Sequence, residues 1–329
     1  MAGMGVRGRR GATRASVGRA VAIVAVAALL VLSAAQGEGA VLAPTWGTSA
    51  EAAATVPAGP VSCHDGAMQI VAHEDDDLLF LSPDLLHDIQ SGRCVRTVVV
   101  TAGDAAQGTA YWKSRERGSQ AAYAQMAGVR DAWTTTDAGV QGHPIPLLTL
   151  TADPRISIAF LRLPDGNRRG TGMRVHDHES LMRLWQGAIP TITAVDGSST
   201  YTADTLTSTL AALVNAFAPT TVRTQDWTIP FQTGDNADHT ATALFVRSAD
   251  HAVTSAHVLL SYGGYPIWTR PTVVHGADLR DKTAAFVAYA HHDPLMCLEP
   301  WCADSVVAAL RLSRQYVVAS QTTVGPGAG

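Results

Sequence analysis

The sequence predicts an α/β fold with a mainly parallel, Rossmann-like sheet and helices on both faces. Two observations predict it. Apolar, β-branched runs alternate with helix-compatible segments between residues 67 and 290, and polar or acidic residues directly follow several of these runs. Alternating strands and helices favour a parallel sheet covered on both sides, and such open sheets bind ligands where their strands end. We therefore expect one domain, residues 61–329, with its site at the carboxyl edge of the sheet.

The predicted strands are short apolar runs bounded by polar or turn residues. In chain order they are MQIVA from Met68, VRTVVVTAG from Val95, PLLTL, ISIAFLRL, TTVRTQ and VLLSYGG. The predicted helices follow capping residues or precede glycine and proline. The first begins at Ser82-Pro83-Asp84, with Ser82 as N-cap, and ends near Gly92. The others are 111–129, Glu179 to Gly187, Ala203 to Phe217, an apolar helix that starts at Asp238 and His239 within the stretch 234–246, and DLRDKTAAFVAYA.

Composition and charge restrict the class of protein. The 329 residues are 47% hydrophobic and 16% charged, which is ample for a sizeable core, and the net charge is -4. Because no basic stripe is present, we do not expect a nucleic-acid partner. The four cysteines suit an oxidising compartment, and we favour disulfides between Cys63 and Cys94 and between Cys297 and Cys302. Their spacing is unlike that of a four-cysteine zinc site.

The first 60 residues differ from the rest of the chain. Several arginines precede an uninterrupted apolar segment, Ala20 to Ala35. This pattern is typical of an export signal, so residues 1–36 are predicted to be a signal peptide or a retained anchor. Residues 37–60, rich in Ala, Gly, Thr and Pro, are predicted to be a flexible linker. We expect a secreted or extracytoplasmic protein that meets a membrane only if the apolar segment is retained.

The acidic turn after MQIVA is the first candidate site. His73 is followed by four consecutive acidic residues, Glu74 to Asp77. His73 and Asp76, three residues apart, can aim an imidazole and a carboxylate at one cation, with Asp75 or Asp77 beside it. The alternative is a solvated acidic turn. The apolar residues on both sides of the run press some of these carboxylates against the core, where an unpaired charge is costly.

Two later stretches lie at the same predicted edge. Asp238 and His239 precede an apolar helix, so that the His239 imidazole can reach the crevice of His73, and Asp104 ends the second strand. A basic, glycine-rich loop at 163–174 lacks a phosphate-loop pattern. We interpret His176 to Glu179 as helix-capping and solvent-facing groups.

Five segments together resemble one family: AHEDDD, TAGD, YWKSRERGSQAAYAQMAGV, LPDG and DNADH. They resemble the PIG-L/LmbE-like deacetylases, zinc-dependent N-deacetylases of N-acetylglucosamine-containing and related amides, and in particular their exported bacterial branch. The resemblance spans roughly residues 62 to 295. It implies an N-acetylated amino sugar or glycoconjugate as substrate.

The resemblance also implies roles for single residues. His73, Asp76 and His239 would hold zinc, and Asp75 would be the general base. Two neutral imidazoles and one carboxylate suit a catalytic zinc with an open position for water, although Fe²⁺ stays an alternative. Asp238 would orient a ligand or the base, or else be the N-cap of its helix.

Three residues depart from the family motifs, usually written AHPDDE and HxDH. Glu74 replaces the proline, which predicts a looser turn, and Asp77 replaces the last glutamate. Asn236 stands where a histidine is credited with stabilising the oxyanion or protonating the leaving amine. Asparagine can donate a hydrogen bond in a catalytic role but cannot deliver a proton.

Matching segments imply that three further residues bind substrate: Asp104, Arg115 and Glu116. The competing hypothesis, motivated by the asparagine, is a non-catalytic carbohydrate-binding protein of the same fold. A third is hydrolysis of a different amide, which the same chemistry allows.

Overall fold

A computed structural model of the protein describes residues 63, 65–297, 299 and 302–324. These residues fall within one compact unit, Pro57–Gly329. The predicted export segment and linker lie outside the described residues, and their boundaries stay predictions.

Eight strands of the described chain form one sheet, in the order β10-β9-β8-β1-β2-β5-β4-β3. The five central strands are β9, β8, β1, β2 and β5, and they are parallel to one another. At the edges, β10 on one side and β4 and β3 on the other are antiparallel to their neighbours. The predicted mainly parallel sheet is therefore confirmed. The strands are β1 Gly66–Val71, β2 Cys94–Thr101, β3 Trp133–Asp137, β4 Pro146–Leu150, β5 Ile156–Leu163, β8 Thr221–Gln225, β9 His257–Tyr262 and β10 Val317–Thr323, with a separate ribbon of β6 Ile192–Thr193 and β7 Thr200–Tyr201.

Helices cover both faces of this sheet. They are α1 Asp84–Gln90, α2 Thr109–Ala127, α3 Leu181–Trp185, α4 Ala203–Phe217, α5 Ala237–Asp250, α6 Gly276–Ala290 and α7 Ala303–Leu312. Adjacent residues of a strand point to opposite layers. Val99 packs in a core cluster with α1, α2, α6 and α7, whereas Val98 packs in a second cluster with α3, α4 and α5. This double layer leaves the carboxyl edge of the parallel strands open for a site.

Some predicted elements differ from the structure. The predicted helix at 179–187 is shorter, because Ser180 caps it and it ends at Trp185. The prediction that Ser82 is an N-cap is wrong: a π-helix, Asp77–Leu81, comes directly before Ser82, and α1 begins only at Asp84. The hydroxyl of Ser82 is buried without a hydrogen-bond partner.

The disulfides join Cys63 to Cys94 and Cys297 to Cys302, as predicted. Disulfides persist in oxidising compartments, so the two bonds indicate an extracytoplasmic protein. Within the described part of the chain, no helix combines the length and the apolar composition needed to cross a membrane.

A buried lysine joins three parts of the fold. Lys282 of α6 donates hydrogen bonds of 3.0 Å to the carbonyl oxygens of Leu79 and Arg314. Burial lowers its pKa to about 7. At pH values between this pKa and that of an ordinary lysine, the unfolded chain therefore binds one more proton than the folded chain. The free energy of unfolding should therefore rise with pH above about 7, by up to about 1.4 kcal/mol per pH unit from this group.

This rise can be measured by urea denaturation at pH 7 and pH 9. The Lys282→Met variant should lack the lysine's share of it, and equal pH dependence in the wild type and the variant would contradict the assignment.

Candidate active site

The acidic turn lies at the carboxyl edge of the sheet, as predicted. It follows β1 and leads into the π-helix. The strand ends on either side hold Ala72, the residue directly before the turn. The N–H of Ala72 donates to Gln225 Oε1 at 3.0 Å, and its carbonyl accepts from both the N–H and the hydroxyl of Thr101 at 2.9 Å. The turn is thereby fixed between β8 and β2.

His73, Asp76 and His239 converge beside this turn. One ligand atom from each lies within 4.8 Å of the other two. Nδ1 of His73 lies 3.1 Å from Asp76 Oδ2, and Nε2 of His239 lies 2.9 Å from Asp76 Oδ1. All three side chains are buried. Burial opposes a charged imidazole, but Asp76 and the neighbouring carboxylates together outweigh burial and raise the pKa of both histidines.

The unsatisfied atoms of this group fit a divalent cation. Nε2 of His73 and Nε2 of His239 are buried without a hydrogen-bond partner. Nε2 of His239 and Oδ1 of Asp76 lie 2.9 Å apart without forming a hydrogen bond, so each can offer a lone pair to a cation. Two imidazole nitrogens and a carboxylate oxygen are a donor set typical of Zn²⁺ or Fe²⁺. These three residues could hold such an ion.

Asp235, which the sequence analysis did not single out, orients His239. Its Oδ1 lies 2.8 Å from Nδ1 of His239 and accepts from the N–H groups of Asn236 and Tyr265 at 2.9 and 3.0 Å. A carboxylate on Nδ1 sets the tautomer that leaves Nε2 free as a ligand. A side chain at Gly264 would lie 2.1 Å from Asp235 Oδ2, so a glycine there makes room for the carboxylate. The i, i+4 spacing of the aspartate and histidine was the available signal.

Replacing Asp235 with asparagine should lower metal affinity by about 10- to 100-fold, because the amide no longer anchors the imidazole as a carboxylate does. Competition with a chromogenic chelator measures this change. Asp250→Asn is the matched control, since Asp250 forms a similar pair with His257, 2.6 Å apart, at the other end of α5. Equal affinities in the two variants would contradict the role of Asp235.

Asp238 is a buried neighbour of His73. It is fully buried, its Oδ2 accepts from the N–H of Gly166 at 2.8 Å, and the same oxygen lies 3.5 Å from Nε2 of His73. The alternative that Asp238 is the N-cap of its helix is wrong. Asn236 is the N-cap of α5, and its Oδ1 accepts from the N–H of Asp238 at 2.9 Å.

Arg115 positions Asp75. Its guanidinium donates to Asp75 Oδ1 at 3.0 Å, to the carbonyl of Gly103 at 2.6 Å and to the hydroxyl of Tyr289 at 2.6 Å. It also lies 3.2 Å from Glu74 Oε2. The Asp75 side chain is 14% exposed, against 0% for Glu74. Arg115, predicted to bind substrate, is thus buried beneath the most accessible of these carboxylates.

The other two residues predicted to bind substrate lie in buried contacts. Asp104 accepts from the N–H of Asp165 at 3.0 Å and lies 2.8 Å from Nε2 of His176. The interpretation of His176 as solvent-facing is therefore wrong, because the glycine-rich loop folds back over the sheet edge. Both carboxylate oxygens of Glu116 are bound by Arg162, at 2.6 and 3.0 Å.

The same loop brings a further carboxylate to the site. Ligand atoms of His73, Asp165 and Asp238 also lie within 4.8 Å of one another. The sequence pointed to Asp165 only as part of LPDG. Together with His73 and Asp238 it forms a second group that could hold a cation. The two groups share His73, so mutations of the unshared residues distinguish them.

The sequence profile of the PIG-L family, described as GlcNAc-PI de-N-acetylase, matches residues 68–250. The chain belongs to the PIG-L family. No curated protein matches it.

Several solved structures are similar at low identity. The N,N'-diacetylchitobiose deacetylase from Pyrococcus horikoshii is 12% identical, with a TM-score of 0.44, over 74% of this chain and 75% of that chain. The zinc-inhibited form of teicoplanin deacetylase Orf2 is 16% identical, with a TM-score of 0.43, over 74% and 90%. The 4-carboxy-2-hydroxymuconate hydratase GalB from Pseudomonas putida KT2440 is 10% identical, with a TM-score of 0.41, over 75% and 82%.

The two departures from the PIG-L motif in the acidic turn are accommodated by α2. Glu74 is buried against Arg115, and its carbonyl accepts from the hydroxyl of Ser119 at 3.0 Å, so the expected looser turn is instead tied to the helix. Burial raises the pKa of Glu74 to about 8. Asp77 accepts from the N–H of Leu78 at 2.8 Å and from the hydroxyl of Tyr123.

Proposed function

We propose that this PIG-L protein is a metal-dependent hydrolase that removes the acetyl group from an N-acetylglucosamine-type glycoconjugate or a related amide. One observation carries the proposal: the ligand atoms of His73, Asp76 and His239 converge directly beside Asp75. Zn²⁺ is the proposed ion, with Fe²⁺ as the alternative. We further propose that the protein acts after export, in keeping with its two disulfides.

Each residue has a distinct task in this proposal. A divalent ion held by His73, Asp76 and His239 would polarise the acetamide carbonyl and acidify a water molecule. Asp75 takes the proton of that water as the oxygen attacks the carbonyl carbon. Burial raises the pKa of Asp75, and the charge of Arg115 opposes that rise. Arg115 also donates a hydrogen bond to this carboxylate, at 3.0 Å, and so fixes its position.

The leaving amine needs a proton when the C–N bond breaks. Asn236 cannot supply it, and its Oδ1 is already occupied as the N-cap of α5. Its amide N–H groups remain available to donate a hydrogen bond to the developing oxyanion. Asp75, protonated in the first step, is then the group that returns the proton. The products are acetate and a free amine.

Asn236→His tests this proton route. We expect no gain in kcat, because Asp75 already serves as proton donor, and a fall in Tm of about 2–4 °C from the loss of about 1 kcal/mol of N-cap stabilisation. Asn236→Ser, which keeps a capping oxygen, should retain the wild-type Tm. A rate increase of tenfold or more in Asn236→His would contradict this route and indicate that the wild-type protein lacks an effective general acid.

Acetate release from a panel of N-acetylhexosamine compounds tests the proposed activity. Metal-loaded protein should release acetate and the Asp76→Ala variant should not. The second candidate, a carbohydrate-binding protein, is motivated by Asn236. Sugar binding without any acetate release by the metal-loaded protein would favour it over the enzyme.

A further inference from the structure

Arg115, which contacts the proposed base Asp75, is itself held by the C-terminal end of α6. Its Nε donates to the hydroxyl of Tyr289 at 2.6 Å and lies 3.3 Å from Oδ2 of Asp293. The hydroxyl of Tyr289 in turn donates to the same carboxylate oxygen at 2.9 Å. Tyr289 lies in the last turn of α6 and Asp293 four residues later, so one end of this helix carries both groups.

The carboxylate of Asp293 is fixed from a second direction. Its Oδ1 accepts from the hydroxyl of Tyr111, in the first turn of α2, at 3.0 Å and from the N–H of Leu295 at 3.1 Å. Asp293 is only 5% exposed and Tyr289 is fully buried. Hydrogen bonds are stronger in such an interior than in water. Asp293 therefore gives the hydroxyl of Tyr289 an acceptor that does not move.

The guanidinium of Arg115 is held in three directions. Its Nε faces Tyr289, its Nη1 donates to the carbonyl of Gly103 at 2.6 Å, and its Nη2 donates to Asp75 Oδ1 at 3.0 Å. Because a guanidinium is planar and rigid, fixing Nε and Nη1 also fixes the direction of Nη2. The contact with Asp75 is thus set from α6 through a single side chain.

Two glycines make room for this arrangement. A Cβ at Gly118, three residues after Arg115 on α2, would lie 2.7 Å from Cδ2 and 2.8 Å from the carbonyl oxygen of Tyr289. A Cβ at Gly103 would lie 2.0 Å from Nη1 of Arg115. Glycine is a poor residue for a helix interior, and at position 118 it allows the ring of Tyr289 to approach α2 closely.

Three carboxyl groups share the one cation of Arg115. Oxygens of Glu74, Asp75 and Asp293 lie 3.2, 3.0 and 3.3 Å from its nitrogens. Burying a charged group without a full partner is costly. A third carboxyl group beside one guanidinium is therefore better explained by a task in orienting Arg115 than by a gain in stability.

We propose that Tyr289 and Asp293 are positioning residues for the general base, which hold Arg115 in the orientation that fixes the Asp75 carboxylate. The inference rests on the proposed function, in which Asp75 is the base. Both residues lie beyond the segment 68–250 that the PIG-L profile matches, so the profile assigns them no role. Small displacements of a catalytic group, on the order of 1 Å, can lower a rate by about 10²-fold.

Tyr289→Phe and Asp293→Asn test the proposal in the full, metal-loaded chain. Each should lower kcat for acetate release about tenfold, the effect of losing one hydrogen bond to a charged group. KM and metal content should stay unchanged, because Asp75 acts on water and is not a metal ligand. A wild-type kcat in both variants, with only Tm lowered, would overturn the proposal.

A double-mutant cycle with Asp75→Asn separates positioning from a general effect on the fold. If Tyr289 acts through Asp75, Tyr289→Phe should lower kcat no further once Asp75 is replaced by asparagine. A second fall of about tenfold in that background would show that Tyr289 affects the site by another route, and would contradict the proposal.

Tyr262→Phe is the matched control. Tyr262 is also fully buried, and its hydroxyl donates to a carboxylate, that of Asp84, between β9 and the start of α1. Its loss should lower Tm and leave kcat unchanged. An equal loss of kcat in Tyr262→Phe and Tyr289→Phe would overturn the specific role of Tyr289.

Hydrogen exchange at Nε of Arg115 tests the same contact without turnover. NMR on protein with isotope-labelled arginine follows this proton, and the Arg115→Lys variant identifies its signal by its absence. Exchange with water should be slow in the wild type and at least about tenfold faster in Tyr289→Phe, which lacks the acceptor. An unchanged exchange rate would overturn the inference even if acetate is released. No acetate release by the wild type would reject the proposed function, whereas faster exchange would then still support the hold of Tyr289 on Arg115.

Discussion

Replacing Asp76 with alanine is expected to remove the metal ion from the protein and acetate release with it. Asp76 contacts both imidazoles, through Oδ2 at 3.1 Å from His73 and Oδ1 at 2.9 Å from His239. Its loss removes a ligand and the carboxylate that faces both histidines. We expect metal affinity to fall by more than about 100-fold, beyond the effect of losing a supporting residue. Metal content after dialysis, measured by mass spectrometry, checks this result.

Asp165→Ala is the matched control for Asp76→Ala. Asp165 belongs to the other group of possible ligands around His73, and it should be replaceable without loss of the ion. His73→Ala and His239→Ala should behave like Asp76→Ala. Full metal content in Asp76→Ala together with loss in Asp165→Ala would move the ion to the second group and defeat the ligand assignment.

Replacing Asp75 with asparagine should leave the metal bound and lower kcat by about 10²- to 10⁴-fold, the usual contribution of a positioned general base. The amide oxygen can still accept from Arg115, so the turn should keep its geometry, but an amide cannot take a proton from water. Steady-state acetate release combined with metal content measures both parts of the prediction.

Glu74→Gln provides a comparison for Asp75→Asn. Glu74 also contacts Arg115, yet its side chain is inaccessible, so its loss should lower kcat far less. A variant of Asp75 with turnover within tenfold of the wild type would show that another group is the base.

The parallel core and the acidic turn could be predicted because their signals are local. MQIVA and the acids after it are contiguous, and strand ends in a parallel sheet meet at one edge. His239 was recognisable for the same reason, at the start of an apolar helix. The antiparallel edges were not predicted, since β3 is largely exposed and β10 alternates between partly buried and exposed residues, which gives little apolar signal.

The residues that the sequence analysis missed depend on contacts between distant segments. His176 reaches Asp104, 72 positions away, only because the glycine-rich loop turns back over the sheet. Arg311 meets Tyr265 through the packing of α7, an element that was not predicted. Asn236 was read as a catalytic substitution, whereas its carbonyl oxygen also has a structural task at the start of α5. No local pattern encodes the contacts of His176 and Arg311, whereas the N-cap role of Asn236 is local, because the N–H that it accepts from is only two residues away.

Anomalous X-ray scattering at the zinc edge, from crystals of the zinc-loaded protein, tests the central claim most directly. We predict one peak at the sheet edge, about 2.0–2.2 Å from a ring nitrogen of His73, a ring nitrogen of His239 and a carboxylate oxygen of Asp76. A peak bound instead by Asp165 and Asp238, or none at this edge, would contradict it.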